Sequence, residues 1–544
     1  MSTEKERLIE IWLDNASERE YQAGFRSALI FSGHKVVHNT SHTAMELGKD
    51  VIAVAPDGEV IAYQLKGNPG GRITVSQWHE LIPQINALVY QPIIHPNIKA
   101  KTIHQPILVT NGEIHEDVLA AIVIYNAAVE ASGLKVKPLK TIARGELLSL
   151  FVEQAEKIWP VDPESQREIL NLLACSGTDS VPENAFNELI ERLLGLSGPA
   201  QKFKLERVAA AHMITTIIAG NWERPRNYFE TIKLYVLLYV KISACLSQSK
   251  LKGRKANVFL QDIEFNIRGG LVEFVRWVAK EYGTRRPLLN QHIFREFSYF
   301  HVRKKMLMGL FAAIALDETL EVGEDSKDFL WDFVCKNESK MFLSGEFILP
   351  YCLTCFWAQS KIQGTQTPDR ELAGILNTLL VANGQEEVRQ HIPGPYYTLT
   401  EVIEWSHQDF LGIKNFDLEE DSHYRRAWFA EPIFYLLARR NWKKTCQLLW
   451  YELTKFLHTE TKLNSPQEFG LAKSEEAQQQ DKQIKIPQSW DDVVSTAKNE
   501  SSPNVPPLLL EKPIIVLLYC LFVPYRMSYD VIMWLDRQFC KTWY

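Results

Sequence analysis

The spacing of apolar residues changes repeatedly along the first third of the chain and then settles. In SEREYQAGFRSALIFSGH, Tyr21, Phe25 and Leu29 recur every fourth position, which predicts an amphipathic helix ended by Gly33. KVVHN, KDVIAVA and EVIAYQLK follow as strand-like runs, and PILVT and VKPLKTIA come later. Between them WHELIPQINALVY and HEDVLAAIVIYNAAVEAS read at helical period. The order α-β-β-β-α-β-α-β predicts an α/β domain over residues 1–157, with a mixed central sheet flanked by helices. From about Pro160 the helical period takes over, as in ETIKLYVLLYVKISACL and EPIFYLLARRNWKKTCQLLWYEL, so 158–461 is expected to be a large all-α region. It shows no fixed repeat. Residues 462–505, with KSEEAQQQDKQ and NESSPNVPP, are polar and proline-bearing and read as a linker or exposed loop. Residues 506–544 read as a last helical segment packing on the helical region.

Two of the strands form a hairpin whose polar residues need a reason. Pro56-Asp57-Gly58 suits a three-residue turn, with proline at its first position and glycine at a left-handed one. If Ala55 pairs with Glu59, then Ile52 faces Ala62 and Asp50 faces Gln64, with Lys66 two positions further on the same face. Both faces of the pair are otherwise apolar, as in a central strand pair covered on each side. A lone charge buried there would cost several kcal/mol. Two readings remain open. Asp50 and Lys66 would neutralise each other, with Gln64 completing the hydrogen bonds. Alternatively, Asp50, the Gln64 amide oxygen and the Leu65 carbonyl would hold a hard divalent cation, leaving Lys66 to assist attack on a phosphate.

The helix, Asp50, thirteen intervening residues and Gln64-Leu65-Lys66 together resemble the PD-(D/E)xK restriction-endonuclease-like fold, in the Gln-x-Lys variant typical of Mrr-like restriction nucleases. QPILVTNGEIHEDVLAAIVIYNAAVEASGLKVKPLKTIARGELLSLF is similar to the closing portion of that family. The resemblance covers about the first 155 residues; the helical remainder resembles no family known to us. It implies a Mg²⁺-dependent endonuclease, with Mn²⁺ substituting, that hydrolyses DNA phosphodiesters with Asp50, Gln64 and Lys66 as the catalytic set. It also implies a glutamate from the first helix, here Glu18 on the Tyr21/Phe25 stripe or, second, Glu20, with Gln22 close by and Glu46 a further acid that could approach the metal. Metal ligands would be Asp50, Gln64, Leu65 and Glu18. Lys49 stands where many relatives have proline or glycine. A cleaving head with a long helical appendage suggests a prokaryotic defence effector, controlled by a trigger or protein partner and assembled as a homodimer or larger oligomer. The rival readings are a non-catalytic head that only binds nucleic acid or a partner, and an RNase of the same fold.

Bulk properties narrow the setting. The 544 residues allow roughly three or four domain-sized units. A formal charge of -6 excludes a generally basic nucleic-acid coat, so any DNA contact must be local. Apolar runs such as PIIVLLYCLFVPY are too short and proline-broken to span a bilayer, and MSTEKERLIE is no signal peptide, so a cytoplasmic protein without membrane partners is expected. The cysteines read as reduced core thiols, including the lone pair Cys352 and Cys355. Gly70, Gly71 and Arg72 in GNPGGR, and His42 beside His38 in HNTSH, are candidate substrate contacts. The chain has no GxxxxGK[ST], HExxH or GxSxG. Basic clusters at Lys250–Lys255, Arg285–Arg286, Arg303–Lys305 and Arg439–Lys444 would hold a duplex if they shared a face, though such clusters are usually solvated helix ends.

Overall fold

A computed structural model describes residues 4–39, 49–94, 98–99, 102–158, 163–196, 204–248, 254–289, 298–336, 345–363, 366–384, 392–397, 401–402, 426–455, 457–471, 479–485, 489–498 and 502–540. His42 and Glu46 lie outside these residues. The chain divides into two compact units, one of residues 1–242 and 249–270, the other of residues 243–248 and 271–544.

The first unit is built on a five-stranded mixed sheet of order β1-β2-β3-β5-β7, with β1 (Lys35–Asn39), β2 (Val51–Val54), β3 (Val60–Lys66), β5 (Gln105–Thr110) and β7 (Lys140–Ile142). The first three strands are antiparallel and the last three parallel. The hairpin register follows from its turn. Ala55 N donates to Glu59 O at 2.8 Å, Gly58 takes a φ of 91°, and Ile52 pairs with Ala62. One face of the sheet, with Ile52, Ala62 and Leu108, is sealed by α3 (Val75–Tyr90) and α4 (Glu116–Ala131) through Leu81, Ile85, Leu88, Val118 and Ile122. The other is covered by α2 (Glu18–Phe31), whose Phe25 ring meets Tyr63 edge-on at 5.1 Å. A two-residue ladder, β4 (Arg72–Ile73) with β6 (Glu113–Ile114), lies beside the main sheet.

Helix α1 (Glu4–Asn15) precedes this core and buries Ile9, Trp12 and Leu13, with Trp12 packed at 5.3 Å against Phe151 of α5 (Arg144–Ile158). After α5 the unit continues through α6 (Pro163–Ala174), α7 (Glu183–Leu194), α8 (Leu205–Glu223), α9 (Tyr228–Gln248) and the first half of α10 (Arg254–Leu289). Helix α8 is buried around nearly its whole circumference, as its run of Ala, Ile, Met and Thr requires.

The second unit is mainly helical but also holds a three-stranded sheet, β8 (Arg426–Ala427), β9 (Leu457–Thr461) and β10 (Gln479–Gln483), ordered β10-β9-β8. Strand β10 is QQDKQ, from the stretch that reads as a linker; it lacks apolar alternation and pairs through its backbone and through Thr459–Asp481 and Lys482–Glu460 contacts. A helix at Trp490–Lys498 also falls in that stretch. Among the described residues no helix is long and apolar enough to cross a membrane.

Candidate functional site

The site lies where β3 ends. Strand alternation sends Asp50, which precedes β2, and Gln64 of β3 to the same side, and pairing fixes their height because Asp50 N donates to Tyr63 O at 2.8 Å. Asp50 is 6% and Gln64 4% exposed. Asp50 Oδ2 accepts from Gln64 Nε2 at 2.6 Å and from Leu65 N at 2.6 Å. Such charge-assisted bonds satisfy a carboxylate in a place where water cannot.

Lys66 lies at the mouth, its Nζ 3.9 Å from Glu18 Oε2, with a quarter of each side chain exposed. Glu18 reaches it because the first turn of α2 abuts the end of β3: Gly67 N donates to Glu18 Oε2 at 2.9 Å. A Cβ on Gly67 would sit 2.8 Å from Glu18 N, so this approach requires glycine. Tyr21, one turn along α2, donates to Val109 O at 3.2 Å; burial raises its pKa well above the usual tyrosine value, and the charges of Glu18 and Asp50 raise it further.

Glu20, the second-choice glutamate, is turned away from this cluster. Ser17-Glu18-Arg19-Glu20 is a capping box, in which Glu20 Oε2 accepts from Ser17 N at 2.6 Å and Ser17 Oγ from Glu20 N at 3.3 Å. Its other oxygen accepts from Arg224 Nε at 3.1 Å. Gln22 is buried in α2. Lys49 is buried too and donates to Ala87 O at 3.0 Å, and burial pushes its ammonium down to about 8.

The glycine-rich segment is a tied turn rather than a slack loop. Gly71 N donates to Asn68 O at 3.0 Å, Gly71 O accepts from Glu113 N at 2.9 Å, and Arg72 projects exposed from β4. Asn111, which sequence reasoning passed over, clamps the surroundings. It is fully buried, donates to Leu13 O at 2.9 Å and Ala16 O at 2.8 Å, and accepts from Asn68 N at 2.8 Å. Its signal was the Thr-Asn-Gly after an apolar strand, where an amide can bracket two chain turns at once.

Behind the site, the far side of α2 carries a second buried network. Arg26 donates to Asp262 Oδ1 and Asn266 Oδ1, each at 2.6 Å, and Ser27 Oγ lies 2.8 Å from His212 Nδ1. His212 Nε2 is 3.4 Å from Asp262 Oδ2, and burial pushes the imidazole down to about 4. This Ser-His-Asp set is sealed inside the unit, Ser27 and His212 being 3% and 0% exposed, so it braces α2 against α8 and α10 and offers no substrate access.

Two basic clusters have buried members: Arg439 and Arg440 are buried on Asp536, at 3.2 and 2.6 Å, where they neutralise a protein carboxylate, and Lys305 is buried as well, whereas Arg303, Lys443 and Lys444 are exposed. The side chains of Lys255, Arg285 and Arg286, and of His38, lie outside the described set. Cys352 and Cys355 are buried on one helix, where burial pushes both thiols up.

The donor set suits a weakly held hard cation. Asp50 and Glu18 outnumber Lys66 in charge, and Gln64 and the Leu65 carbonyl add neutral oxygens. Among the described residues no group of three or more His, Cys, Asp or Glu is placed to hold a metal. The Gln64 amide now turns its nitrogen to Asp50; offering its oxygen to a cation needs only a half-turn of that amide. The chain matches no family model, no curated protein and no solved structure.

Proposed function

We propose that the protein is a divalent-cation-dependent endonuclease that hydrolyses DNA, with a restriction-endonuclease-like head of Mrr type. The observation that supports it is the buried pair Asp50–Gln64 at the end of β3, followed two residues on by Lys66, which is a quarter exposed and paired with Glu18 from α2. Lys66 is paired at 3.9 Å with Glu18, and Asp50 accepts from the Gln64 amide and the Leu65 N–H.

Mg²⁺ or Mn²⁺, when bound, would neutralise phosphate charge as a Lewis acid. Asp50 and Gln64 would hold it, with the Leu65 carbonyl and Glu18 completing the oxygen set. Lys66 would face the phosphate and offset the negative charge that builds as a water oxygen bonds to phosphorus, its proton passing to solvent, and the opposite phosphorus–oxygen bond breaks, the leaving oxygen taking a proton from solvent. Glu18, tethered by Gly67 N, keeps the Lys66 ammonium directed to the mouth. The helical region would restrain cutting until a trigger acts, as in a prokaryotic defence effector.

The test is incubation of the purified chain with duplex DNA and Mg²⁺ or Mn²⁺, beside Asp50→Ala and Lys66→Ala and with RNA in parallel. Metal-dependent DNA cutting lost in both variants is expected. Cutting that survives either substitution sinks the assignment, RNA cutting alone moves the substrate to RNA, and DNA binding unchanged in Asp50→Ala without any cleavage favours a purely binding head.

A further inference from the structure

The elbow between α1 and α2 and the turn that follows β3 meet over one buried amide. The last carbonyls of a helix lack partners within it, and here the N–H groups of Ser17 and Glu20 are engaged in the capping box of α2. Asn111 supplies the missing donors: its Nδ2 donates to Leu13 O at 2.9 Å and to Ala16 O at 2.8 Å, while its Oδ1 accepts from Asn68 N at 2.8 Å. The residue is 0% exposed, so water cannot take over these bonds. The residue type follows from the partners. A carboxylate would set oxygen against two carbonyls, a hydroxyl offers one donor, and only an amide brings two donors and an acceptor.

The backbone is closely packed around this side chain. Lys66 pairs with Thr110 across the parallel ladder, so Asn111 follows β5 as Gly67 follows β3. Asn68 to Gly71 close a turn in which Gly70 takes a φ of 62°, and a Cβ on Gly70 would lie 3.5 Å from Asp14 O in the elbow. A Cβ on Gly112 would lie 2.5 Å from Asn68 O, so glycine is required beside the amide. Glu18 thus stands between two points tied to β5 and its end: Ala16, held by Asn111, and Tyr21, whose hydroxyl donates to Val109 O at 3.2 Å. Its carboxylate then meets Gly67 N at 2.9 Å and Lys66 Nζ at 3.9 Å.

We propose that Asn111 is a positioning residue for Glu18: from one buried amide it holds the start of α2 and the turn after Lys66 in a single frame, and so sets the Glu18 carboxylate beside the Lys66 ammonium. Asn111 itself is sealed from solvent and acts only through these neighbours. The placement of Glu18 is a matter of the fold alone; its consequence for a bound cation rests on the endonuclease reading.

Hydrogen exchange of the full chain without metal, followed by mass spectrometry, tests the placement. Asn111→Ala removes three hydrogen bonds and should speed exchange in segments 13–21 and 67–68 by about tenfold or more, while 51–63 and 105–109 exchange as in wild type. Asn111→Ser, which leaves at most one donor, should speed the same two segments less strongly and decides the matter if the alanine variant does not fold. Calorimetric titration of the full chain with Mn²⁺ adds a readout that a merely structural amide would not move. Asn111→Ala should weaken Mn²⁺ binding by about tenfold, as loss of a hydrogen-bond partner behind a metal ligand does. Unchanged exchange at 13–21, acceleration spread over the whole sheet, or Mn²⁺ affinity that is unmoved in Asn111→Ala but lost in Asp50→Ala overturns the proposal. Mn²⁺ binding that Asp50→Ala leaves intact overturns the cation site instead, and the exchange pattern then decides the role of Asn111 by itself.

Discussion

Replacing Lys66 by methionine separates the two explanations of the polar cluster, because they give its charge different weights. The ammonium lies 3.9 Å from Glu18 Oε2, with the two side chains 25% and 26% exposed. An ion pair so placed contributes about 0.2–1 kcal/mol, and methionine keeps the aliphatic stem in place. In a unit of this size that amounts to a loss of roughly 2–4 °C in melting temperature at most. A positioned group that stabilises charge only in the transition state contributes about 3–4 kcal/mol, so its removal slows turnover on the order of 10²–10³-fold. The expected result is a near-normal melting curve together with that fall in the rate of supercoiled plasmid relaxation in Mg²⁺, measured with enzyme in excess. A rate within about threefold of wild type would refute the reasoning, since one-hundredth of the activity is the least the transition-state role implies. So would a large melting shift accompanying the loss, which would return Lys66 to a structural part.

Gly67→Ala should cost about 1–3 kcal/mol by denaturant titration, because its Cβ would lie 2.8 Å from Glu18 N, and should also reduce cleavage by displacing Glu18; an unchanged midpoint contradicts the close approach. His212 is pushed from 6.5 to about 4 by burial, so the unfolded chain binds its proton more readily; the stability it contributes is complete above 6.5 and is lost as pH falls through about 4. His212→Gln should therefore flatten the acid limb of a melting-temperature profile between those values; because His458 is also pushed down to about 4, the comparison is between variant and wild type. Burial alone would raise the Asp536 pKa, but Arg440 and Arg439 hold it below the usual value, so Asp536→Ala should cost about 3–5 kcal/mol in unfolding titrations by removing the carboxylate that these two buried cations share.

The hairpin was legible because its register follows from a local rule. Once Pro56-Asp57-Gly58 fixes the turn, every pair up to Asp50 and Gln64 is set by counting. Glu20 shows a signal present but outweighed. Ser17 three residues before Glu20 is the capping-box pattern, and it commits that carboxylate to its own helix end before any metal is considered. Helical phase alone places Glu18 and Glu20 on different stripes without saying which neighbour awaits each. Arg26, Ser27, His212 and Asp262 come together across sequence separations of 185 and 236 residues, for which no local pattern exists. The buried Arg439 and Arg440 were obscured for a related reason: basic residues at a helix end read as solvated unless their acids, one near the C-terminus, are known to be close. Polar QQDKQ could pair as a strand because backbone groups, not side-chain pattern, make its ladder.

Helix α2 ties these observations together, since its two sides answer to different parts of the unit. One side carries Tyr21 and Phe25 onto the sheet and delivers Glu18 to the end of β3. The other fixes Glu20 to Arg224, Arg26 to Asp262 and Asn266, and Ser27 to His212, all supplied by α8, its C-cap and α10. Arg26 and Asp262 on that second side are a buried ion pair, and removing one strands the other at a cost of about 3–5 kcal/mol, so this brace holds α2 against sliding along its axis. The only helical ligand of the proposed cation is thus placed by residues 185 or more positions away. Disturbing that brace, for instance by Asp262→Asn, should leave Asp50, Gln64 and their hydrogen bonds in place while loosening Glu18. The expected signature is a raised Mg²⁺ requirement for cleavage with little change in the rate at saturating metal. If instead the saturating rate collapses and the metal requirement does not move, α2 does not govern the position of Glu18.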